Sequence, residues 1–318
     1  MGEIKNRGLY SIILLSYYSE NRIIKVYENL KEALDSHNIP FELIIIDDGS
    51  KDKSHEIALS LEKTDNRVRA YQLSRNFTSH YAKFAGLSIS KGDCATSIPD
   101  DFQLPIEVII KMYRAWENGE KIVIPYRKKR QDNLFKSIPS KLYYYLMNKY
   151  SHANYPEGGA DAFLADREII DKLNEIKPLN TSSTVEVLSL GYDPYFFPFE
   201  RPKSTASKSR WTLSKRITLA KDTFFSASLF PIKMITRLGI LSFLSSITLI
   251  IISVYLKVKN YDSFAGISIP GWTSTITIIS FFSGLILFSM GILAEYIYRI
   301  FEEVKGRPGY IIKNKPES

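Results

Sequence analysis

The chain has 318 residues, with 42 lysines and arginines against 34 acidic residues and a formal net charge of +8. That length holds one large domain with an addition, or two domains, and a single cysteine, Cys94, excludes an internal disulfide framework. The basic excess suits a nucleic acid, a membrane surface or an anionic substrate, so charge alone leaves the partner open.

The N-terminal stretch MGEIKNRGLYSIILLSYY runs quickly into a strand pattern, so no secretory signal is expected there. In chain order, YSIILLSY, FELIIID, VRAYQLS, CATSIPD and KIVIPY read as strands. ENRIIKVYENLKEALDSH, SHEIALSLEKT, HYAKFAGLSISKG and PIEVIIKMYRAWENG read as the helices between them. This alternation predicts an α/β, Rossmann-like domain over residues 1–210, with a mostly parallel sheet covered on both faces. Ligands of such sheets bind beyond the carboxyl ends of the strands.

Two of those ends are acidic. IIIDDGSKDKS closes its strand at Asp47 and Asp48 and turns through Gly49, with Ser50 and Asp52 available as caps. Two βα units later, IPDDFQLP closes at Asp100 and Asp101 and places Pro105 in the opening turn of the next helix. Adjacent carboxylates repel and raise each other's pKa unless something positive intervenes. Strand-end carboxylates suit a hard divalent cation, Mg2+ or Mn2+, completed by phosphate oxygens, and a shared cation would relieve that repulsion. Past KIVIPY come Arg127, Lys128, Lys129 and Arg130. They form either a phosphate clamp, to which the arginine fork is suited, or a solvated loop attracted to anionic lipid. The histidines at 37, 55, 80 and 152 are too scattered to suggest a metal cluster, and Cys94 reads as core.

From about Pro231 to Ala294 the chain is almost wholly apolar. Positions 238–256 carry no charge and as a helix would span roughly 28 Å, close to the thickness of a bilayer core. A second uncharged run covers 272–294, so residues 232–298 are expected to form a two-helix transmembrane hairpin. Lys208, Arg210, Lys215, Arg216, Lys221, Lys233 and Arg237 precede it, and Arg299, Lys305, Arg307 and Lys313 follow it. The connecting loop carries only Lys257 and Lys259, so the positive-inside rule puts the N-terminal domain and the tail, 299–318, in the cytoplasm. Residues 211–231 have Leu213, Ile217, Ala220 and Phe224 at helical spacing. They form either an amphipathic helix in the interface or a surface helix packed on the soluble domain.

The ordered set DDGSKDKS, LSRNF, AKFAGLSISKGD and DDFQLPIE resembles the donor-binding half of family 2 glycosyltransferases of the GT-A fold. YRKKRQD, the apolar hairpin and FEEVKGRPGYII narrow the resemblance to the polyprenyl-phosphate group, the dolichyl-phosphate-mannose synthases and bactoprenol glucosyltransferases. It covers almost the whole chain. The group usually has an Asp where this chain has Pro99, and often an Arg where it has Phe163; LSYYSE keeps Tyr17 and Glu20 of the opening motif.

The resemblance implies an inverting transfer of a sugar from a nucleotide-diphosphate donor to polyprenyl phosphate at the cytoplasmic leaflet, for glycan or cell-envelope assembly. Asp101 would be the metal ligand, with Asp100 in the metal or ribose shell; Tyr17, Glu20, Asp47, Asp48 and Gln103 would bind the donor. Arg127, with Arg130, Arg201 and Arg210, would take the acceptor phosphate, and Asp161 would be either an orienting or base-like acid or a helix cap. The implied partners are the nucleotide sugar, the lipid phosphate and the bilayer, with homo-oligomers open and nucleic acid rejected. A membrane-anchored transferase with another acceptor, or an inactive membrane scaffold, is the alternative.

Overall fold

The computed structural model describes residues 8–101, 103–127, 162–176, 183–200, 202, 230–258, 263–264, 267–268, 271–306 and 308–313. The chain divides into two units, Met1–Ala227 with Arg307–Ser318, and Ser228–Gly306.

The first unit alternates as expected: β1 (Tyr10–Ser16), α1 (Ile23–Ser36), β2 (Phe41–Asp47), α2 (Ser54–Thr64), β3 (Val68–Gln72), α3 (Thr78–Ile89), β4 (Cys94–Pro99), α4 (Ile106–Glu117) and β5 (Ile122–Arg127). β6 (Leu164–Asp166), α5 (Arg167–Ile176), α6 (Ser183–Ser189) and β7 (Tyr195–Phe199) follow. All seven residues of β2 are buried, the mark of a strand covered on both faces.

These seven strands form one sheet in the order β3-β2-β1-β4-β6-β5-β7. β1, β2, β3 and β4 run parallel, as do β5 and β7, while β6 is antiparallel to both neighbours. Because β6 reverses once on each side, β5 points the same way as β4. The expected mostly parallel sheet is present; β6 and β7 carry little periodicity in three and five residues and were not expected.

Side chains alternate across the strands and feed two cores. Ile12 and Leu14 meet Leu30 and Leu34 of α1, Ala58 of α2 and Met112 of α4 on one face. Ile13, Ile44 and Ile46 meet Ala82 and Phe84 of α3, Ile170 of α5 and Val187 of α6 on the other. Pro105 stands at the N-cap of α4 rather than inside its first turn, and its carbonyl accepts from Val108 N at 3.0 Å.

The second unit holds α7 (Phe230–Val258), the short strands β8 (Ser263–Phe264) and β9 (Ile267–Ser268), and α8 (Gly271–Val304). Both expected apolar runs are therefore helical. Among the described residues, one segment, Phe281–Phe301, is long and apolar enough to cross a membrane. Large apolar side chains such as Leu241, Ile251, Leu287 and Ile297 are exposed along these helices, and Arg299 pairs with Glu295 one turn back at 3.0 Å. Residues 211–229, the bulk of the expected interfacial helix, lie outside the described residues.

Candidate active site

The sheet register sets the geometry. Ser16 pairs with Asp47 and Leu15 with Pro99, so Asp100 lies level with Ser16, and Asp48, Tyr17 and Asp101 stand one position further out. With strands about 5 Å apart, Asp48 and Asp101 flank β1 across about 10 Å. Thr96 and Val123 both pair with Leu164, which brings Arg127, the last residue of β5, level with Asp100. The acidic strand ends and Arg127 thus occupy one edge of the sheet.

Two loops, the one after β1 and the one after β2, are laced together beneath that edge. Ser50 Oγ accepts from Tyr18 N at 2.9 Å, Ser54 Oγ accepts from Ser19 N at 2.7 Å, and Glu20 Oε2 accepts from Lys53 N at 3.2 Å. Asp52 Oδ1 accepts from Ser54 N at 3.2 Å, holding the start of α2, whereas Ser50 is spent on Asp47. The Tyr17 ring stands edge-on to Tyr18, which is 43% exposed.

The two carboxylates at the end of β2 have separate surroundings. Asp47 is wholly buried and accepts from Ser50 N at 3.1 Å, from Ser50 Oγ, and from Gln72 Nε2 at 2.8 Å. Asp48, 4% exposed, accepts from Phe77 N at 2.7 Å. Burial pushes its pKa up to about 6, with the Asp47 charge adding a little and the amides of Phe77 and Thr78 opposing. The turn is tight enough to require glycine: Gly49 has φ +70°, and a Cβ there would lie 2.5 Å from the carbonyl carbon of Arg75. Thr78 itself has φ 80°, unusual for a β-branched residue, at the point where α3 begins beside Asp48.

At the end of β4 the pair is divided by a cation the sequence did not single out. Arg22, preceding α1, places Nη2 2.5 Å and Nε 3.1 Å from Asp100 Oδ2, and Ser19 Oγ donates to the same oxygen. Arg22 therefore relieves the repulsion that a shared metal was expected to relieve. Asp101 is half-buried and accepts from Gln103 N at 3.2 Å and from the Gln103 amide.

Among the described residues no three acidic, histidine or cysteine side chains gather as a metal cage. A single hard carboxylate at the lip of the sheet, with Asp100 engaged by Arg22, fits a Mg2+ or Mn2+ ion that takes its remaining ligands from water and a diphosphate. A further residue that pattern reading missed is Lys83. It is buried, donates to Ser183 Oγ at 2.9 Å, and lies 5.1 Å from the Phe163 ring; burial lowers its pKa to about 8. Asp161, Arg130, Arg201 and Arg210 lie outside the described residues.

The family model described as Glycosyl transferase family 2 matches residues 11–173, from β1 into α5. This chain belongs to the family 2 glycosyltransferases. The enzyme is 32% identical over 305 residues to the uncharacterized glycosyltransferase YkcC of Bacillus subtilis, covering 96% of this chain and 93% of that protein. It is 30% identical over 309 residues to the bactoprenol glucosyl transferase of Shigella phage SfV, covering 96% and 99%. Similar solved structures include a glucosyl-3-phosphoglycerate synthase from Mycobacterium tuberculosis in complex with Mn2+ and UDP. That one is 16% identical, with TM-score 0.47, over 67% of this chain and 76% of its own.

Proposed function

We propose that this glycosyltransferase moves a sugar from a nucleotide-diphosphate donor to the phosphate of a polyprenyl phosphate, at the cytoplasmic face of a membrane. The observation that carries the proposal is the order of side chains along one sheet edge: Asp48, then Asp101, then Arg127, spread over about 20 Å by the strand spacing. An acceptor for nucleoside hydroxyls, a metal-binding carboxylate and an anion-binding arginine stand in the sequence that such a reaction needs. The relatives named bactoprenol glucosyl transferase, matched along nearly their full length, support the choice of acceptor. The helices α7 and α8, with basic residues before and after them, support two spans and a cytoplasmic catalytic unit.

In this reading Asp48, once ionised, accepts from the nucleoside end, and Tyr17 on the neighbouring β1 end borders it. Asp101 would hold the divalent cation, which when bound would neutralise the departing diphosphate. Gln103 positions the Asp101 carboxylate through its backbone and side-chain amides. Arg127 takes the acceptor phosphate, with Arg130, Arg201 and Arg210 as further cations on segments beyond the described residues. A phosphate monoester has its second pKa near 6 and is largely dianionic at neutral pH, so the acceptor oxygen attacks the anomeric carbon without a strong base. The new carbon–oxygen bond forms opposite the one to the diphosphate, which breaks, and the configuration inverts. Asp161 would orient that attack.

The test is to incubate the purified enzyme with polyprenyl phosphate, Mg2+ and a panel of nucleotide sugars, and to identify the lipid product by mass spectrometry. A glycosylated lipid phosphate is the expected product. Sugar transfer to water or protein only, with no lipid product from any donor, would reject the acceptor.

A further inference from the structure

Past the end of α8 at Val304, the chain returns to the catalytic unit's sheet. β3 is the edge strand, and beyond its last residue Leu73 forms an antiparallel bridge with Ile312. Ser74 N donates to Ile311 O and Lys313 N donates to Gln72 O, each at 2.8 Å. Tyr310 OH lies 2.9 Å from Ser88 Oγ on α3, and the rings and methyls of Tyr310 and Ile312 pack on the core that α3 covers. A few tail residues therefore cover an exposed sheet edge, the position where an unpaired strand would otherwise present its donors and acceptors.

The side chains extend this pairing inward. Lys313 Nζ donates to Gln72 Oε1 at 2.8 Å, and Gln72 Nε2 donates to Asp47 Oδ2 at 2.8 Å. Lysine has only donors and a carboxylate only acceptors, so the two together fix which way the Gln72 amide faces. Leu73 N also donates to Asp47 O at 2.8 Å. From there the chain runs through Arg75, in contact with Gly49, to Phe77, whose amide donates to Asp48.

Resting on the donor-site reading above, we infer that the tail segment Tyr310–Lys313 is a clip that positions the β3–α3 turn around Asp47 and Asp48, with Lys313 as its positioning residue through Gln72. The segment reads YIIK, a stretch that the transfer chemistry leaves without a role. Its described hydrogen bonds fall on β3, the turn after it and α3, the parts that enclose the Asp48 side of the edge.

The experiment uses the full-length enzyme in detergent and compares it with Lys313→Ala, Lys313→Arg, Tyr310→Phe and a form lacking residues 309–318. Hydrogen exchange is read at Phe77 and Thr78, whose amides donate to Asp48 and take no part in the described tail hydrogen bonds. UDP and GDP affinities are measured with Mn2+. Lys313→Ala is expected to speed exchange at both amides and weaken nucleotide binding about three- to tenfold, with Lys313→Arg restoring both. If the truncated form does not fold, Lys313→Ala and Tyr310→Phe still decide the matter. Unchanged exchange at Phe77 and Thr78 in these variants overturns the clip. An enzyme that binds neither nucleotide rejects the donor reading instead, while faster exchange in Lys313→Ala would still uphold the clip.

Discussion

Arg22 lies against Asp100, with Nη2 2.5 Å from Oδ2, and offsets the charge of one carboxylate of an adjacent pair, while Ser19 Oγ donates to the same oxygen. Asp100 is 8% exposed, so losing its cation leaves a nearly buried charge without compensation. Arg22→Met should lower stability by about 1–3 kcal/mol, a range held down by the partial exposure of the arginine. The double variant Arg22→Met, Asp100→Asn should recover most of that loss. Thermal unfolding of the four members of this cycle measures the coupling, and additive losses would separate the two residues.

Asp101 stands one residue away in a different environment. Its carboxylate accepts from the backbone and side-chain amides of Gln103, two positions on. Asp101→Asn should remove Mn2+-dependent nucleotide binding and sugar transfer while leaving the unfolding temperature nearly unchanged. Retained metal-dependent binding would take Asp101 out of the metal site.

The contrast between these neighbours explains what the sequence disclosed. Strand ends, the parallel sheet and the acidic edge follow from periodicity and from two DD pairs after buried apolar runs, because burial on both faces leaves a continuous apolar signal. The partner of Asp100 was hidden, since Arg22 is 78 positions away and only the β1–β4 pairing brings them together. Lys83 was hidden for the opposite reason. It sits in the helical stretch AKFAGL, where a lysine reads as a solvated position, yet it is buried against Phe163 and Ser183. The return of the tail to β3 had no local signal at all, because a single antiparallel bridge imposes no periodicity.

Asp48 titrates where activity would be measured. Burial raises its pKa to about 6, above the ordinary carboxylate value, so ionising it costs the unliganded fold. Its contribution to stability is fully present below the unfolded-state value near pH 4 and is lost as the pH rises through about 6. Binding follows the opposite sign, because only the carboxylate accepts two hydroxyl hydrogen bonds. The donor KM should therefore fall as the pH is raised from 5 to 7, and Asp48→Asn should flatten that dependence. A wild-type profile with no inflection near 6 would show that Asp48 does not meet the donor in its ionised form.

In the proposed reaction Arg127 would separate the two substrates. It ends β5, two strand positions from β4, whereas the nucleoside end is assigned to β2 on the far side of β1. A side chain that meets only the lipid phosphate should alter acceptor kinetics and spare donor affinity. Arg127→Ala is expected to raise the acceptor KM about tenfold or more, the effect of losing a charge-assisted contact, with nucleotide binding within about twofold of wild type. Arg127→Lys should recover part of the loss, since it keeps the charge and gives up the planar fork. Initial rates over a grid of both substrate concentrations distinguish the cases. Equal losses for donor and acceptor would place Arg127 on the diphosphate instead, and no loss for either would assign the clamp to the cations that follow it.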